Sequence, residues 1–131
     1  MRTALVLAVP LALSACVMVP APDRSPPATE GAAVALGERV QVSDLVVTPV
    51  AVVEDSRCPT NARCVWAGRL IVRTQIDSPT NGGAWRDTAE LRLGETYGAH
   101  GRVIALVSGE PGKTAERETP PESYRFVYEA R

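Results

Sequence analysis

The sequence contains few of the side chains that catalysis and nucleic-acid binding require. Histidine occurs once, as His100, and the 14 basic residues include a single lysine, Lys113. Because 15 acidic residues balance them, the chain offers no positive field to a nucleic acid. No carboxylate stands at a ligand spacing from His100, which we interpret as a solvated loop residue and not as a metal ligand. We expect no nucleic-acid partner, no metal and no cofactor.

Motifs of nucleophilic and phosphate chemistry are also missing from the sequence. No serine lies in a Gly-x-Ser-x-Gly elbow, and Ser108-Gly109 fits the exit of a strand into a turn. The glycines at 94, 98 and 101 lie between predicted strands and not before a helix, which argues against a phosphate-binding loop. The sequence therefore predicts a protein that is not an enzyme.

The apolar run near the N-terminus is short. Arg2 precedes the run Ala4–Ala12, which cannot span a bilayer but has the layout of an export signal. The next residues, Leu13-Ser14-Ala15-Cys16, resemble the lipobox of bacterial lipoproteins, in which the chain is cut before a cysteine that then carries a lipid. We predict a signal peptide at 1–15 and lipidation of Cys16; an ordinary secretory signal is the alternative.

A lipid on Cys16 would attach the mature chain to a membrane without a transmembrane helix, because acyl chains bury many methylene groups. By resemblance to the sorting of enteric-type lipoproteins, Val17 after the cysteine implies the outer membrane, facing the periplasm. Residues 16–35 are rich in proline and alanine and have no apolar period, so they are predicted to form a tether. The expected location is the bacterial cell envelope, with the membrane as a partner.

From residue 36 onward the pattern is that of short strands separated by turn residues. The predicted strands are Arg39–Val42, Asp44–Val53, Cys64–Ile76, Arg86–Leu93, Arg102–Val107 and Ser123–Glu129. Residues 94–101 and 114–121 are predicted as a loop and an exposed connection. Since Pro49 cannot donate to a strand ladder, its strand is expected to lie at a sheet edge or to contain a bulge.

Residues 36–131 are thus predicted to form an all-β domain, a small antiparallel β-sandwich or barrel of about six to seven strands. The core must be largely aliphatic, because the chain has few aromatic residues. Three of these, Tyr124, Phe126 and Tyr128, alternate onto one face of the last strand.

Two of the three cysteines lie in the stretch Glu54–Gly68. In an oxidising compartment we expect Cys58 and Cys64 to form a disulfide, closing a seven-residue loop worth ~2.4 kcal/mol in the chain-entropy model. Because Cys64 and Trp66 alternate to the same face, the indole is predicted to lie in the core beside the disulfide.

Two further residues of this stretch predict turns. Pro59 has its φ preset for a turn just inside the disulfide, and Asp55 is placed to accept a hydrogen bond from the amide of Arg57 or Cys58. Redox catalysis is the alternative use of the two thiols, but it is favoured by two intervening residues at a helix N-terminus. Here five residues intervene between predicted strands.

The series Asp55-Ser56-Arg57-Cys58-Pro59, four residues, then Cys64-x-Trp66-Ala67-Gly68 resembles the signature of a family of small uncharacterised bacterial exported proteins and lipoproteins. The closing Tyr124-Arg125-Phe126 strand is similar too, and the likeness extends from about Leu36 onward. The resemblance implies a β-rich fold and a Cys58–Cys64 pairing. It implies no activity.

Our first functional hypothesis is a non-enzymatic, lipid-anchored β-domain that binds an envelope protein or polymer, or has a structural role. Arg57 and Arg63 are the candidate binding residues, because both lie on the turn constrained by the two cysteines: Arg57 directly precedes Cys58, and Arg63 directly precedes Cys64. An inhibitor of a hydrolase such as lysozyme is the alternative within this class. A thiol-dependent or metal-dependent enzyme or carrier that uses Cys58, Cys64 or His100 is the alternative outside it.

Overall fold

The computed structural model describes residues 25–79 and 83–131; the predicted signal peptide, Cys16 and the first part of the predicted tether lie outside the described residues. The strands are β1 Val40–Val42, β2 Leu45–Asp55, β3 Leu70–Ser78, β4 Trp85–Arg92, β5 Thr96–Ala99, β6 Arg102–Glu110 and β7 Arg125–Ala130. A single 3₁₀ turn, Pro121–Ser123, precedes β7. No helix in this part of the chain is long and apolar enough to cross a membrane.

The seven strands form two antiparallel sheets. One has the order β1-β2-β3-β4 and the other the order β5-β6-β7. The prediction of an all-β fold is confirmed, and of the two predicted architectures the sandwich is the one observed. The sheets pack through the faces on which apolar residues alternate, as period-2 patterning requires.

The core is mainly aliphatic, as the composition predicts. In β3 the inward positions from Leu70 to Ser78 are all buried, and their neighbours are half-buried or exposed. Opposite them lie Phe126 and Tyr128 of β7, both fully buried. The hydroxyls of Tyr128 and Thr74 are 3.0 Å apart, so the polar groups at the centre of the core satisfy each other across the two sheets. Burial raises the pKa of Tyr128, and its hydroxyl therefore remains protonated.

Pro49 lies in a strand with neighbours on both sides, since β2 pairs with β1 and with β3. The prediction of a bulge is confirmed, because the register between β2 and β3 shifts between Pro49 and Ala51. The alternative of an edge strand is wrong. β1 pairs only with Leu45–Val47, and beyond its end the Gly37 amide donates to the Pro49 carbonyl (2.7 Å). The nitrogen of Pro49 faces this same side, where no strand requires an amide donor, so the proline is tolerated.

Two predictions about the strands are wrong. The predicted loop at 94–101 contains β5, whose short sequence has too few apolar residues to show a period. It joins β6 through a tight turn in which His100 and Gly101 both have positive φ, as a type I′ turn requires. The strand predicted from Cys64 begins only at Leu70, because the preceding residues follow an irregular path.

The sandwich also begins earlier than residue 36, so the predicted end of the tether is wrong. Ala28 forms a parallel bridge with Val40, and Val34 forms an antiparallel bridge with Phe126. The Val34 side chain is 2% exposed and belongs to the core. Isolated bridges leave no periodic pattern in a sequence, and alternation could not reveal them.

Replacing Val34 with Ala tests whether this segment is part of the folded unit. We expect Val34→Ala to lower the free energy of unfolding by roughly 2 kcal/mol, because it removes buried methyl groups from the core. Val65→Ala is the matched control, since Val65 is 90% exposed and its loss should change stability little. Denaturant unfolding of both variants measures the difference; equal stabilities would show that residues 28–35 do not pack on the sandwich.

Candidate functional site

The loop between β2 and β3, residues 56–69, carries most of the predicted site residues and is called the stapled loop here. The predicted disulfide between Cys58 and Cys64 is confirmed, with 5.8 Å between the two Cα atoms. At its base the Ser56 amide donates to the Arg69 carbonyl (2.9 Å) and the Cys58 amide to the Ala67 carbonyl (3.2 Å). The loop therefore leaves the sheet as a closed, cross-linked projection.

Gly68 allows the two arms of the stapled loop to approach each other. Its φ is +65°, a conformation that side chains disfavour. A Cβ atom at this position would lie 1.7 Å from the Ser56 carbonyl oxygen. The glycine of the sequence motif is thus explained by backbone geometry at the base of the loop.

The predicted turns are present. The Arg57 amide donates to Asp55 Oδ1 over a long 3.4 Å, in the Asx-turn arrangement. The Ala62 amide donates to the Pro59 carbonyl (3.1 Å) and closes a turn inside the disulfide. These bonds shape the loop locally but do not by themselves fix its position on the domain.

The Asp55 carboxylate joins the stapled loop to the sandwich. It accepts hydrogen bonds from Arg57 through Nε to Oδ1 and Nη2 to Oδ2, both at 2.8 Å. It also accepts one from the Tyr124 hydroxyl, 2.7 Å from Oδ2, just before β7. We call Asp55, Arg57 and Tyr124 the Asp55 network. It links residues 69 positions apart in the chain, and no sequence period signals it.

Arg57 extends this network to the second sheet, and its predicted role as a binding residue gains no support from its contacts. Its Nη1 donates to the Gly109 carbonyl (2.6 Å) and its Nη2 to the Pro111 carbonyl (3.1 Å). The side chain is only 17% exposed. A guanidinium with these donors engaged holds the loop to the sandwich and is not presented to a partner.

The charge states of the Asp55 network follow from its contacts. Burial raises the pKa of Asp55, but the hydrogen bonds from Arg57 and Tyr124 outweigh it and hold the pKa below its ordinary value. The hydrogen bond to Asp55 raises the pKa of Arg57, and burial together with the same carboxylate raises the pKa of Tyr124. At neutral pH the network is therefore an ion pair with a neutral phenol as an additional donor.

A second set of contacts holds one side of the stapled loop against the connection between β6 and β7. Lys113 contributes its carbonyl to the Thr60 amide (2.9 Å) and its Nζ to the Asp55 carbonyl (2.8 Å). Asn61 bonds the Glu116 carboxylate (2.6 Å) and the Ala115 amide (3.0 Å). The connection predicted to be merely exposed thus supports the loop along one side.

The prediction for Trp66 is wrong. Its side chain is 82% exposed and that of Val65 is 90% exposed, so neither lies in the core beside the disulfide. The alternation from Cys64 to Trp66 does not apply, because residues 64–69 are not a strand. Arg63, the other predicted binding residue, is also exposed. The apex of the stapled loop, residues 63–66, therefore presents a cation and two apolar side chains to the surroundings.

His100 is far from the stapled loop and is not simply solvated. Its ring stacks on Trp85, with the ring centres 4.0 Å apart, and its Nε2 lies 2.8 Å from Asp87 Oδ2. The side chain is still half exposed. Within residues 25–79 and 83–131, no three His, Cys, Asp or Glu residues are grouped so that they could hold a metal ion.

The chain matches no protein-family model, no curated protein and no solved structure. The resemblance of the Asp55–Gly68 motif to an exported-protein family therefore stays a prediction.

Substitution of Gly68 tests the geometry at the base of the stapled loop. We expect Gly68→Ala to cost about 3 kcal/mol or more, because the methyl group meets the Ser56 carbonyl and φ is strained. Gly31→Ala is the control, since Gly31 also has positive φ (+82°) but no heavy atom within 4 Å of its would-be Cβ. Denaturant midpoints measure both; an equal loss would contradict the close approach.

Acid titration tests the Asp55 network. The pKa of Asp55 is lowered by folding, so its carboxylate stabilises the protein above the unfolded value of about 3.9. That stability is lost as the pH falls through the lower folded pKa. We expect Asp55→Asn to cost about 2 to 3 kcal/mol at pH 7, the range for hydrogen bonds to charged groups, and the difference from wild type to shrink below about pH 4.

The measurement for Asp55 is thermal unfolding of wild type and variant across the acid range. Glu95→Gln is the control, because the Arg92–Glu95 pair is about half exposed and should contribute little at any pH. A cost of Asp55→Asn that stays constant down to low pH would show that the carboxylate charge is not what stabilises the loop.

Proposed function

We propose that the protein is a lipid-anchored, non-catalytic recognition module of the bacterial cell envelope, and that it binds through the apex of the stapled loop. The observation that carries the proposal is the exposure of Trp66 (82%) and Val65 (90%) on a loop held in place by the protein around it. An indole left in water forgoes the stabilisation that its burial would provide. Tryptophan and arginine are also the side chains most enriched at the energetic centres of interfaces.

Preorganisation supports this proposal. The disulfide closes the stapled loop, the Asp55 network ties its base to both sheets, and Asn61 ties its side to residues 115 and 116. A loop that is already ordered loses little conformational entropy on binding. The apex residues can therefore contribute most of their contact energy to affinity.

Lipidation of Cys16 and an outer-membrane location belong to the proposal; the first follows from the lipobox and the second from Val17 after the cysteine. The early start of the sandwich adds to it, because a short connection would keep the domain close to its anchor. Inhibition of a hydrolase such as lysozyme is one form of the proposal, in which the apex would enter the cleft of the enzyme. A thiol-dependent activity gains no support, since the disulfide occupies both cysteines of the loop.

Site-specific cross-linking in intact envelopes tests the proposal. A photo-reactive residue replaces Val65 at the apex or, as a control, Val103, which is 40% exposed on β6. We expect a discrete adduct from position 65 and not from position 103. Adding Trp66→Ala should reduce the adduct by roughly tenfold or more, as expected for the loss of an interface centre.

Mass spectrometry of the adduct identifies what the apex contacts, and the mass of the mature chain reports whether Cys16 carries a lipid. The same diffuse labelling from both positions, unchanged by Trp66→Ala, would contradict recognition by the stapled loop. In that case the remaining hypothesis would be a structural role for the domain, without a specific ligand.

A further inference from the structure

We infer that the apex of the stapled loop binds the surface of the bilayer itself, with Trp66 and Val65 at the boundary of headgroups and acyl chains and Arg63 at the lipid phosphates. This inference rests on the proposed function and names its partner. It is favoured over a protein partner by the chemistry of the loop, by the size of its apolar apex and by the length of chain between the domain and Cys16.

The chemistry of the stapled loop fits a membrane surface. Residues 56–69 contain three arginines and no acidic residue. Arg57 is engaged in the Asp55 network, and Arg69 donates to Glu54 (2.9 Å). Arg63, in contrast, is exposed at the apex together with the two apolar side chains. Tryptophan is enriched at membrane interfaces, where its ring is partly buried and its N–H remains hydrated. Arginine next to it binds phosphate and is attracted by anionic lipids.

The size of the apex favours a membrane over a protein. A stable protein interface buries about 800 Å² on each partner, and Trp66 with Val65 can supply only a few hundred Å² between them. A bilayer needs no complementary surface. Shallow insertion of one aromatic and one aliphatic side chain next to a cation is sufficient for weak interfacial binding.

The length of chain before the sandwich allows this contact. Ala28 is the first residue bridged to the sheet, and it lies twelve positions after Cys16. Twelve residues span at most ~40 Å, about the diameter of a domain of this size. The bridge between Ala28 and Val40 is parallel, so the residues just before Ala28 lie beside residues 37–39. Followed from Ala28 back towards Cys16, the chain therefore leads away from the Ser43–Asp44 turn. This is the same direction in which β2 runs from that turn to the stapled loop.

The anchor also explains why weak binding would be enough. A lipid on Cys16 holds the domain beside the bilayer, so docking of the apex becomes an intramolecular step at high effective concentration. The two contacts together would set the orientation of the domain. The end of the sandwich that carries Val103 and the Ser43–Asp44 turn would then face away from the membrane.

Tryptophan fluorescence of the full lipidated chain in protein-free vesicles tests the inference. The vesicles contain phosphatidylcholine and phosphatidylglycerol with or without bromine on the acyl chains, and the difference between wild type and Trp66→Phe isolates the Trp66 signal. We expect emission at shorter wavelength and loss of roughly half its intensity to the bromines, because interfacial side chains enter by ~5–10 Å. Arg63→Glu should reduce both effects in the anionic vesicles.

The control is a chain in which Trp66→Phe is combined with Val103→Trp, which moves the reporter to the opposite end of β6 from Gly109. Its indole should stay accessible to iodide in the water and be unaffected by the bromines. The inference is overturned if Trp66 behaves like this control. A protein adduct from position 65 in native envelopes would then leave the proposed function standing, whereas absence of any adduct would remove both.

Discussion

The ion pair between Asp55 and Arg57 is the interaction on which the arrangement of the stapled loop depends. The two residues are two positions apart in the chain, but Arg57 donates to Gly109 of the other sheet and to Pro111 just after it, and Asp55 accepts from Tyr124. A largely buried charge pair stabilises a protein only when its remaining hydrogen-bonding groups are satisfied. Here carbonyls and a phenol satisfy them, so one local pair joins both sheets where the loop leaves the sandwich.

The disulfide orders the stapled loop internally but does not fix the position of the loop on the domain. It restricts residues 58–64, but a closed loop on an unrestrained base could still swing as a unit. The position of the loop comes from the Asp55 network on one side and from Asn61 and Lys113 on the other. Covalent closure and polar contacts are therefore complementary, since the first orders the loop and the second orients it.

Sequence patterns predict the strands that alternate, the disulfide and the turns beside it, but not the contacts that position the stapled loop. The inward faces of β3 and β7 and the bulge at Pro49 follow from period-2 burial and from the missing amide of proline. The Asp55 network depends on a tyrosine 69 residues away, which no local pattern encodes. The prediction for Trp66 is wrong for a local reason, because residues 64–69, with Gly68 at positive φ, are not a strand and alternation does not apply to them.

For Arg57 and Trp66, the observed exposure is the opposite of what the residue type predicts. An arginine on a constrained loop is expected to face a partner, and a tryptophan beside a cysteine is expected to fill the core. The fold does the opposite with both. Of the six aromatic residues, Tyr124, Phe126 and Tyr128 are buried, Trp85 and Tyr97 pack against the core, and Trp66 is exposed. Folding gains almost nothing from Trp66, because its side chain stays in water, and this is why the proposed binding surface is centred on it.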